Sequence, residues 1–236
     1  MNTEITCQEP GYELKAGEMD QSTAYDIAKR VTDVIIALLA TVLFAPLMVL
    51  IAVAIKATSR GPVFFVQKQE VGLLGRIFSL YKFRTMFHNN DSRVHRRYCQ
   101  DFIAGKASTY YDKSERSHVF KIVDDLRVTR IGRFLRRSGL DELPQLICVL
   151  KGDMSLVGPR PAILYEYEAY TEHQKTRLSV LPGITGLCQV TVRNSAPFET
   201  MIEIDLDYIR RRSWLFDIEI MFRTFTNLVG GRNLGH

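Results

Sequence analysis

Val34-Ile-Ile-Ala-Leu-Leu-Ala-Thr-Val-Leu-Phe-Ala-Pro46-Leu-Met-Val-Leu-Ile-Ala-Val-Ala-Ile55 is a run of 22 residues without a charge. A helix of that length, rising about 1.5 Å per residue, covers a bilayer core of roughly 30 Å. It fits a cleaved signal peptide poorly, because it starts late, follows an acidic stretch and lacks a small-x-small cleavage site. Pro46, near its middle, removes a backbone hydrogen bond and bends the chain. Lys29 and Arg30 precede the run and Lys56 and Arg60 follow it, so the positive-inside rule gives no orientation for a single span. It is satisfied when both ends stay on the cytoplasmic face. A spanning helix and a re-entrant helix broken at Pro46 both remain open from these residues, since spanning helices tolerate proline.

Outward from this segment, the charge is unevenly spread. The 236-residue chain carries a formal +5, yet residues 1–28 hold six acids and one base, a net −5. Between Arg76 and Arg137 there are 15 Lys/Arg and six Asp/Glu, a net +9. Such a field attracts polyanions: nucleic acid, anionic lipid or phosphorylated small molecules. With 46% hydrophobic and 24% charged residues the chain is neither disordered nor a multi-span membrane protein. Cys7, Cys99, Cys148 and Cys188 form no C-x-x-C pair and read as reduced, mostly buried thiols rather than a zinc or redox site. The five histidines have no metal-ligand spacing.

After Gly61-Pro62 the pattern becomes that of a folded domain. Pro62–Gln67 and Arg76–Arg84 read as two strands of a hairpin, with Gly72 and Gly75 marking the turn. Residues 88–118 are polar and basic and read as a helix plus a mobile loop. Arg130–Arg137 reads as a basic helical turn or strand end. Ser138–Gly152 reads as one helix, with Ser138 or Asp141 as cap, Pro144 in the first turn, Lys151 in the last and Gly152 at C′. Val157-Gly-Pro-Arg160-Pro161 is a rigid turn presenting an arginine. Residues 162–180 read as helical, Leu181–Gly186 as a constrained loop and Leu187–Val192 as a strand. From Phe198 to Val229 apolar residues follow helical spacing. Trp214 and Phe216 beside Arg210, Arg211 and Arg212 suit a helix at a membrane surface, or one packed on the core. The fold class is α+β, mostly helical with a short β-hairpin or small sheet. The expected plan is an acidic flexible tail (1–22), the apolar helix (23–60), a folded domain with interfacial helices (61–229) and a C-terminal tail (230–236).

The chemistry centres on Asp141-Glu142. Adjacent carboxylates at a helix start, with Arg133, Arg136 and Arg137 just upstream, commonly do no more than cap the helix. They also suit a site for a phosphorylated, metal-bound substrate. Helix N–H groups and arginines bind phosphoryl oxygens, and one or two carboxylates suffice for Mg2+ shared with a substrate phosphate. In that field a carboxylate is expected to keep a low pKa and to act as a nucleophile.

Several motifs in order carry a resemblance. They are Lys29-Arg30-x-x-Asp33, Gly61-Pro-Val-Phe-Phe-x-Gln67, Gly72-x-x-Gly75, Lys82-Phe-Arg84-Thr-Met86, Arg130-Ile-Gly132 and Ser138-x-Leu-Asp141-Glu142-Leu-Pro144-Gln145-Leu, then Gly152-Asp-Met-Ser-Leu-Val-Gly-Pro-Arg160-Pro161 and Pro182-Gly-Ile-Thr-Gly186-Leu-x-Gln189. Over about residues 24–225 the chain resembles the monotopic polyprenol-phosphate phosphoglycosyl transferases, the bacterial sugar transferase family, in its small form without a four-span N-terminal extension. The resemblance implies a re-entrant helix broken at Pro46, with both ends cytoplasmic, on the bacterial inner membrane. It implies transfer of a phosphosugar from a nucleoside diphosphate sugar, usually a UDP-sugar, to polyprenol phosphate with Mg2+, releasing UMP. Asp141 is then the nucleophile that forms a phosphosugar–aspartyl intermediate, and Glu142 helps hold Mg2+ or handle protons. Asp141 and Glu142 are the metal candidates; Lys82, Arg84, Arg136, Arg137 and Arg160 are the phosphate-contact candidates.

The chain departs from the family pattern at Ala45-Pro46, often Ser-Pro, and at Cys188, often Trp. Leu126 stands where proline is frequent, and Gln69-Glu70 where an arginine is common. The insert at about 87–124 suggests a subunit contact, a homodimer, or a cover over the site. Two rivals are a membrane-anchored nucleic-acid binder, for which no recognition motif is present, and a catalytically retired scaffold of the same fold. The sequence names neither the sugar nor the glycan pathway.

Overall fold

The computed structural model describes residues 16–87, 93–106, 110–112, 117–119, 127–192 and 195–230. Residues 1–15 of the expected tail, 231–236 of the C-terminal tail and much of the 87–124 insert lie outside the described residues. The chain begins with α1 (Ala16–Thr58), then β1 (Phe64–Val71), β2 (Ile77–Phe83), α2 (Arg93–Ile103), β3 (Tyr110–Asp112) and β4 (Ser117–Val119). It continues with α3 (Arg130–Ser138), a 3-10 turn (Leu140–Gln145), α4 (Leu146–Lys151), β5 (Ser155–Val157), β6 (Ala162–Ile163), α5 (Leu164–Tyr167) and α6 (Glu172–Lys175). It closes with β7 (Gly183–Thr185), α7 (Leu187–Thr191), α8 (Phe198–Arg211) and α9 (Trp214–Val229). The mostly helical α+β class holds. α1 starts at Ala16, so residues 16–22, assigned to the tail from sequence, are helical.

Pro46 lies inside α1 and does not end it. Only 11% of the most apolar 18-residue window of this helix is buried, unlike the core helix of a soluble protein, which packs on all sides. Two stretches of α1 do pack. Before Pro46, Ala37 is fully buried among Cys148, Val149, Met154 and Leu156. After it, Ile51 and Ile55 are buried against Phe83 and Leu135. Between them residues 42–46 are all exposed. Polar ties reinforce both ends. Arg30 donates to the Val149 and Leu150 carbonyls (2.7 and 3.1 Å), Asp33 accepts from Ser155 Oγ and Leu156 N (2.7 and 3.2 Å), and Ser59 accepts from Arg84. The helix thus touches one domain at both ends and leaves it in the middle.

β1 and β2 form the expected antiparallel hairpin, with Gly75 at φ 82 in its turn. β6 adds antiparallel on the other side of β1, giving the order β2-β1-β6. β5 and β7 pair in parallel. Where β5 ends, Gly158 lies so close to Gly183 and Gly186 that a Cβ on any of the three would come within 2.4 Å of backbone atoms of the facing loop. That contact fixes the Arg160 turn against the 182–186 loop.

Several local expectations fail. Ala162–Ile163, read as helical, is strand β6, and Gly183–Thr185, read as loop, is strand β7. Ser138–Gly152 is not one helix. Gly139, at φ 68, separates α3 from the 3-10 turn, and no side chain caps that turn, so neither Ser138 nor Asp141 is the cap. At the other end Gly152 is left-handed (φ 90) as expected. Leu187–Thr191 is a helix, not a strand. Its Val and Thr residues favour strands, but Gly186 ends the β7 segment, and Leu187 and Val190 turn into the core beside Tyr208 and Ile220.

α8 and α9 are joined at Ser213, whose hydroxyl accepts from Phe216 N. α9 buries Asp217 and Ile220 and leaves Trp214, Leu215, Phe222 and Phe225 on the outside. The buried Asp217 carboxylate accepts from Tyr25 (2.9 Å), Lys29 (2.7 Å) and Tyr208 (2.8 Å), which locks α9 to the start of α1.

Candidate active site

The site is built where β2 ends and α3 crosses it. Thr129 caps α3, accepting from Gly132 N at 2.9 Å, and its hydroxyl donates to the Thr85 carbonyl at 3.2 Å. A Cβ at Gly132 would lie 2.0 Å from the Thr85 oxygen, so only glycine lets the helix come this close. Arg136, one turn on, donates from Nε to Thr85 Oγ1 at 2.9 Å. The left-handed Gly139 then reverses the chain and sets Asp141 and Glu142 in the first turn of the 3-10 segment. Lys82, from β2, reaches Glu142 with Nζ to Oε1 at 2.9 Å.

Asp141 is only 6% exposed. Burial, and then the neighbouring Glu142 charge, push its pKa up to about 6, against the opposing pull of Lys82 and Arg136. The expectation of a low pKa is therefore corrected. It weighed the arginines and could not weigh desolvation. A carboxylate in this state is partly protonated at mildly acidic pH and ionised above it. It is poorly solvated, which favours nucleophilic use.

Of the phosphate-contact candidates, the structure brings Lys82 and Arg136 to the carboxylate pair. Arg84 is buried and turned elsewhere: its Nη2 donates to Ser59 O and Oγ (2.8 and 2.7 Å), at the foot of α1. Arg137 is exposed in the last turn of α3. Arg160 is exposed on its proline-flanked turn.

One residue escaped the sequence reading. Glu70, in β1, is 6% exposed, and burial pushes its pKa up to about 7, with Arg160 and Lys82 as the counteracting charges. The only signal was that Gln69-Glu70 stands where an arginine is common. The thiols of Cys99, Cys148 and Cys188 are buried and pushed up, in line with inert structural cysteines. Among the described residues no group of three or more His, Cys, Asp or Glu side chains could cage a metal. Two adjacent carboxylates do fit Mg2+ carried jointly with substrate phosphates.

The family described as bacterial sugar transferase matches residues 24–231. The chain belongs to the bacterial sugar transferase family. The match covers α1 from residue 24 on, the hairpin, the carboxylate turn and both C-terminal helices of this sugar transferase. It is 38% identical over 198 residues to the exopolysaccharide production protein ExoY of Sinorhizobium fredii, covering 84% of each chain. It is 41% identical over 229 residues to the UDP-glucose:undecaprenyl-phosphate glucose-1-phosphate transferase of Xanthomonas campestris pv. campestris, covering 94% of this chain and 43% of that one. It is 38% identical over 196 residues to the undecaprenyl-phosphate galactose phosphotransferase of Salmonella typhimurium, covering 83% and 39%. The chain thus spans less than half the length of the last two relatives.

Proposed function

We propose that this sugar transferase moves a phosphosugar from a UDP-sugar to polyprenol (undecaprenyl) phosphate at the cytoplasmic face of the bacterial inner membrane, opening exopolysaccharide or related glycan assembly. The observation that carries the reading is the buried Asp141 with the part-buried Glu142 beside it, Lys82 on Glu142 and Arg136 alongside. In the first step an Asp141 carboxylate oxygen attacks the phosphorus next to the sugar. The bond from that phosphorus to the bridging oxygen breaks, and UMP leaves with the electron pair. In the second step a phosphate oxygen of polyprenol phosphate attacks the same phosphorus and the Asp141 carboxylate departs, giving polyprenol diphosphate sugar. Lys82 and Arg136 offset negative charge that builds on the phosphoryl oxygens. Asp141 and Glu142 would hold Mg2+, which supplies further charge neutralisation at those oxygens when bound.

The same geometry supports a membrane arrangement. Residues before and after Pro46 pack on one domain, and a domain lies on one side of a bilayer. A re-entrant path, with the exposed 42–46 stretch deepest in lipid, satisfies both contacts and the basic flanks. The outward Trp214, Leu215, Phe222 and Phe225 of α9 suit the headgroup region of the same leaflet.

The test is UMP release from UDP-glucose, UDP-galactose and other UDP-sugars, in detergent with Mg2+, with and without polyprenol phosphate. Release that requires one sugar and is sustained by the lipid is expected. No release from any donor, with the protein folded, would overturn the reading in favour of a retired scaffold.

A further inference from the structure

Arg84 is a buried cation with no counter-ion. It is 5% exposed, and among the described residues no carboxylate pairs with it. Its Nη2 donates to the Ser59 carbonyl at 2.8 Å and to Ser59 Oγ at 2.7 Å, while Nε and Nη1 have no hydrogen-bond partner. Arg177, the other buried arginine among the described residues, is paired with Asp205. A guanidinium taken out of water with two of its nitrogens unsatisfied is unfavourable until an anion joins it.

Its place in the fold says which anion. The Arg84 backbone N–H continues the hairpin ladder to the Val63 carbonyl at 2.9 Å. Lys82 and Arg84, two residues apart, therefore share one face of the hairpin at a spacing of about 7 Å. Lys82 turns to the carboxylate pair, and Arg84 turns to Ser59, the residue that follows the end of α1. Between them Phe83 packs on Ile51 and Ile55 of the apolar run, so this end of β2 lies where α1 comes out of lipid. Lys56 and Arg60 flank Ser59 and are exposed, and so are Phe64 and Phe65, with Phe65 directly opposite Lys82. A UDP-sugar is water-soluble and meets Lys82 and Arg136 from the aqueous side. Polyprenol phosphate keeps its chain in the bilayer, and its phosphate reaches the domain at the foot of α1. We propose that Arg84 is the acceptor-phosphate residue, held on Ser59 in the empty enzyme and released to the phosphate of polyprenol phosphate in the second half-reaction. Lys56 and Arg60 draw that phosphate in, and Phe64 and Phe65 line the path of the first isoprene units. The exchange replaces bonds to neutral serine oxygens by stronger bonds to an anion.

This inference rests on the transferase reading above and separates an acceptor subsite from the donor's. The experiment uses the full chain in detergent with Mg2+ and the UDP-sugar that supports UMP release. In a two-step transfer through Asp141, kcat/KM for undecaprenyl phosphate reports the second half-reaction and kcat/KM for the donor reports the first. Arg84→Gln is expected to lower the lipid kcat/KM about tenfold or more, the scale of a lost hydrogen bond to a charged group, and to leave the donor kcat/KM within about twofold. Ser59→Ala keeps Arg84 and removes one contact that holds it back, so the lipid kcat/KM rises about threefold. That arm stands even if Arg84→Gln impairs folding. A donor kcat/KM that falls in step with the lipid's would assign Arg84 to the donor and overturn the proposal. Inhibition by phosphatidylglycerol that disappears in Arg84→Gln, with the lipid kcat/KM unmoved, would put a phospholipid headgroup there and overturn it as well. An unmoved lipid kcat/KM in Ser59→Ala, or in an active Arg84→Gln, fails the proposal alone. No UMP release by the unsubstituted enzyme from any UDP-sugar would fail the transferase reading and the Arg84 role together.

Discussion

Lys82 Nζ lies 2.9 Å from Glu142 Oε1, tying β2 to a turn 60 residues further along the chain. Both side chains are largely buried, and a cation so placed lowers the cost of two adjacent carboxylates in one turn. It acts on Asp141 as well, opposing the burial that raises that group's pKa.

Asp141→Asn is expected to reduce UMP release by at least about a thousandfold, because an amide is a poor nucleophile. The same change should stabilise the fold. The native pKa, near 6, is above the unfolded value, so ionised Asp141 opposes folding once the pH passes through that window. At pH 8 without Mg2+ the relief is roughly 2–3 kcal/mol, a rise in Tm of about 4–10 °C. Near-normal turnover would refute the nucleophile; an unchanged Tm would refute the buried charge.

The pH profile of the first half-reaction should show an acid limb. With Asp141 as the proposed nucleophile the reactive form is the carboxylate, so single-turnover UMP release is expected to rise about tenfold per pH unit below 6 and to level off above it. Lys82→Met removes a charge that favours the carboxylate, so the limb moves to higher pH and the maximal rate falls. A limb that stays put in Lys82→Met would break the assigned coupling.

Arg30→Ala tests how α1 is fastened. The guanidinium donates to the last carbonyls of α4, and its loss leaves the Val149 and Leu150 oxygens without these charged donors. The expected cost is about 2 kcal/mol, read as a lower Tm in detergent. UMP release below the new Tm should persist, since Arg30 does not reach Asp141. A Tm unchanged from the parent would show that the contact carries no stability.

Single cysteines at Ile27 and Ala57, both exposed and on opposite flanks of the apolar run, give the topology directly. A membrane-impermeant maleimide is expected to label both only after inner membranes are opened to the cytoplasmic face. Labelling from opposite sides would establish a true span.

What the sequence determined by itself was local or compositional. An uncharged run of 22 residues sets a helix long and apolar enough, by length and composition, to cross a membrane. Gly75 and Gly152 mark their turns because only glycine takes positive φ at little cost, and the Asp141-Glu142 motif pointed to the chemistry proposed above. Tertiary structure decided everything that depends on what distant segments bring together. Leu187–Thr191 became a helix because the core beside α8 and α9 claimed Leu187 and Val190 over a strand preference. Arg84, read as a phosphate contact, is drawn to Ser59 by the packing of α1's foot. Asp141 was expected to be acidic and is not, since desolvation is a property of the folded surroundings rather than of neighbouring letters. Glu70 faces the site only through a one-residue bulge in the β1–β2 register. Register is a relation between two strands, and a strand's own residues do not encode where its partner will pair.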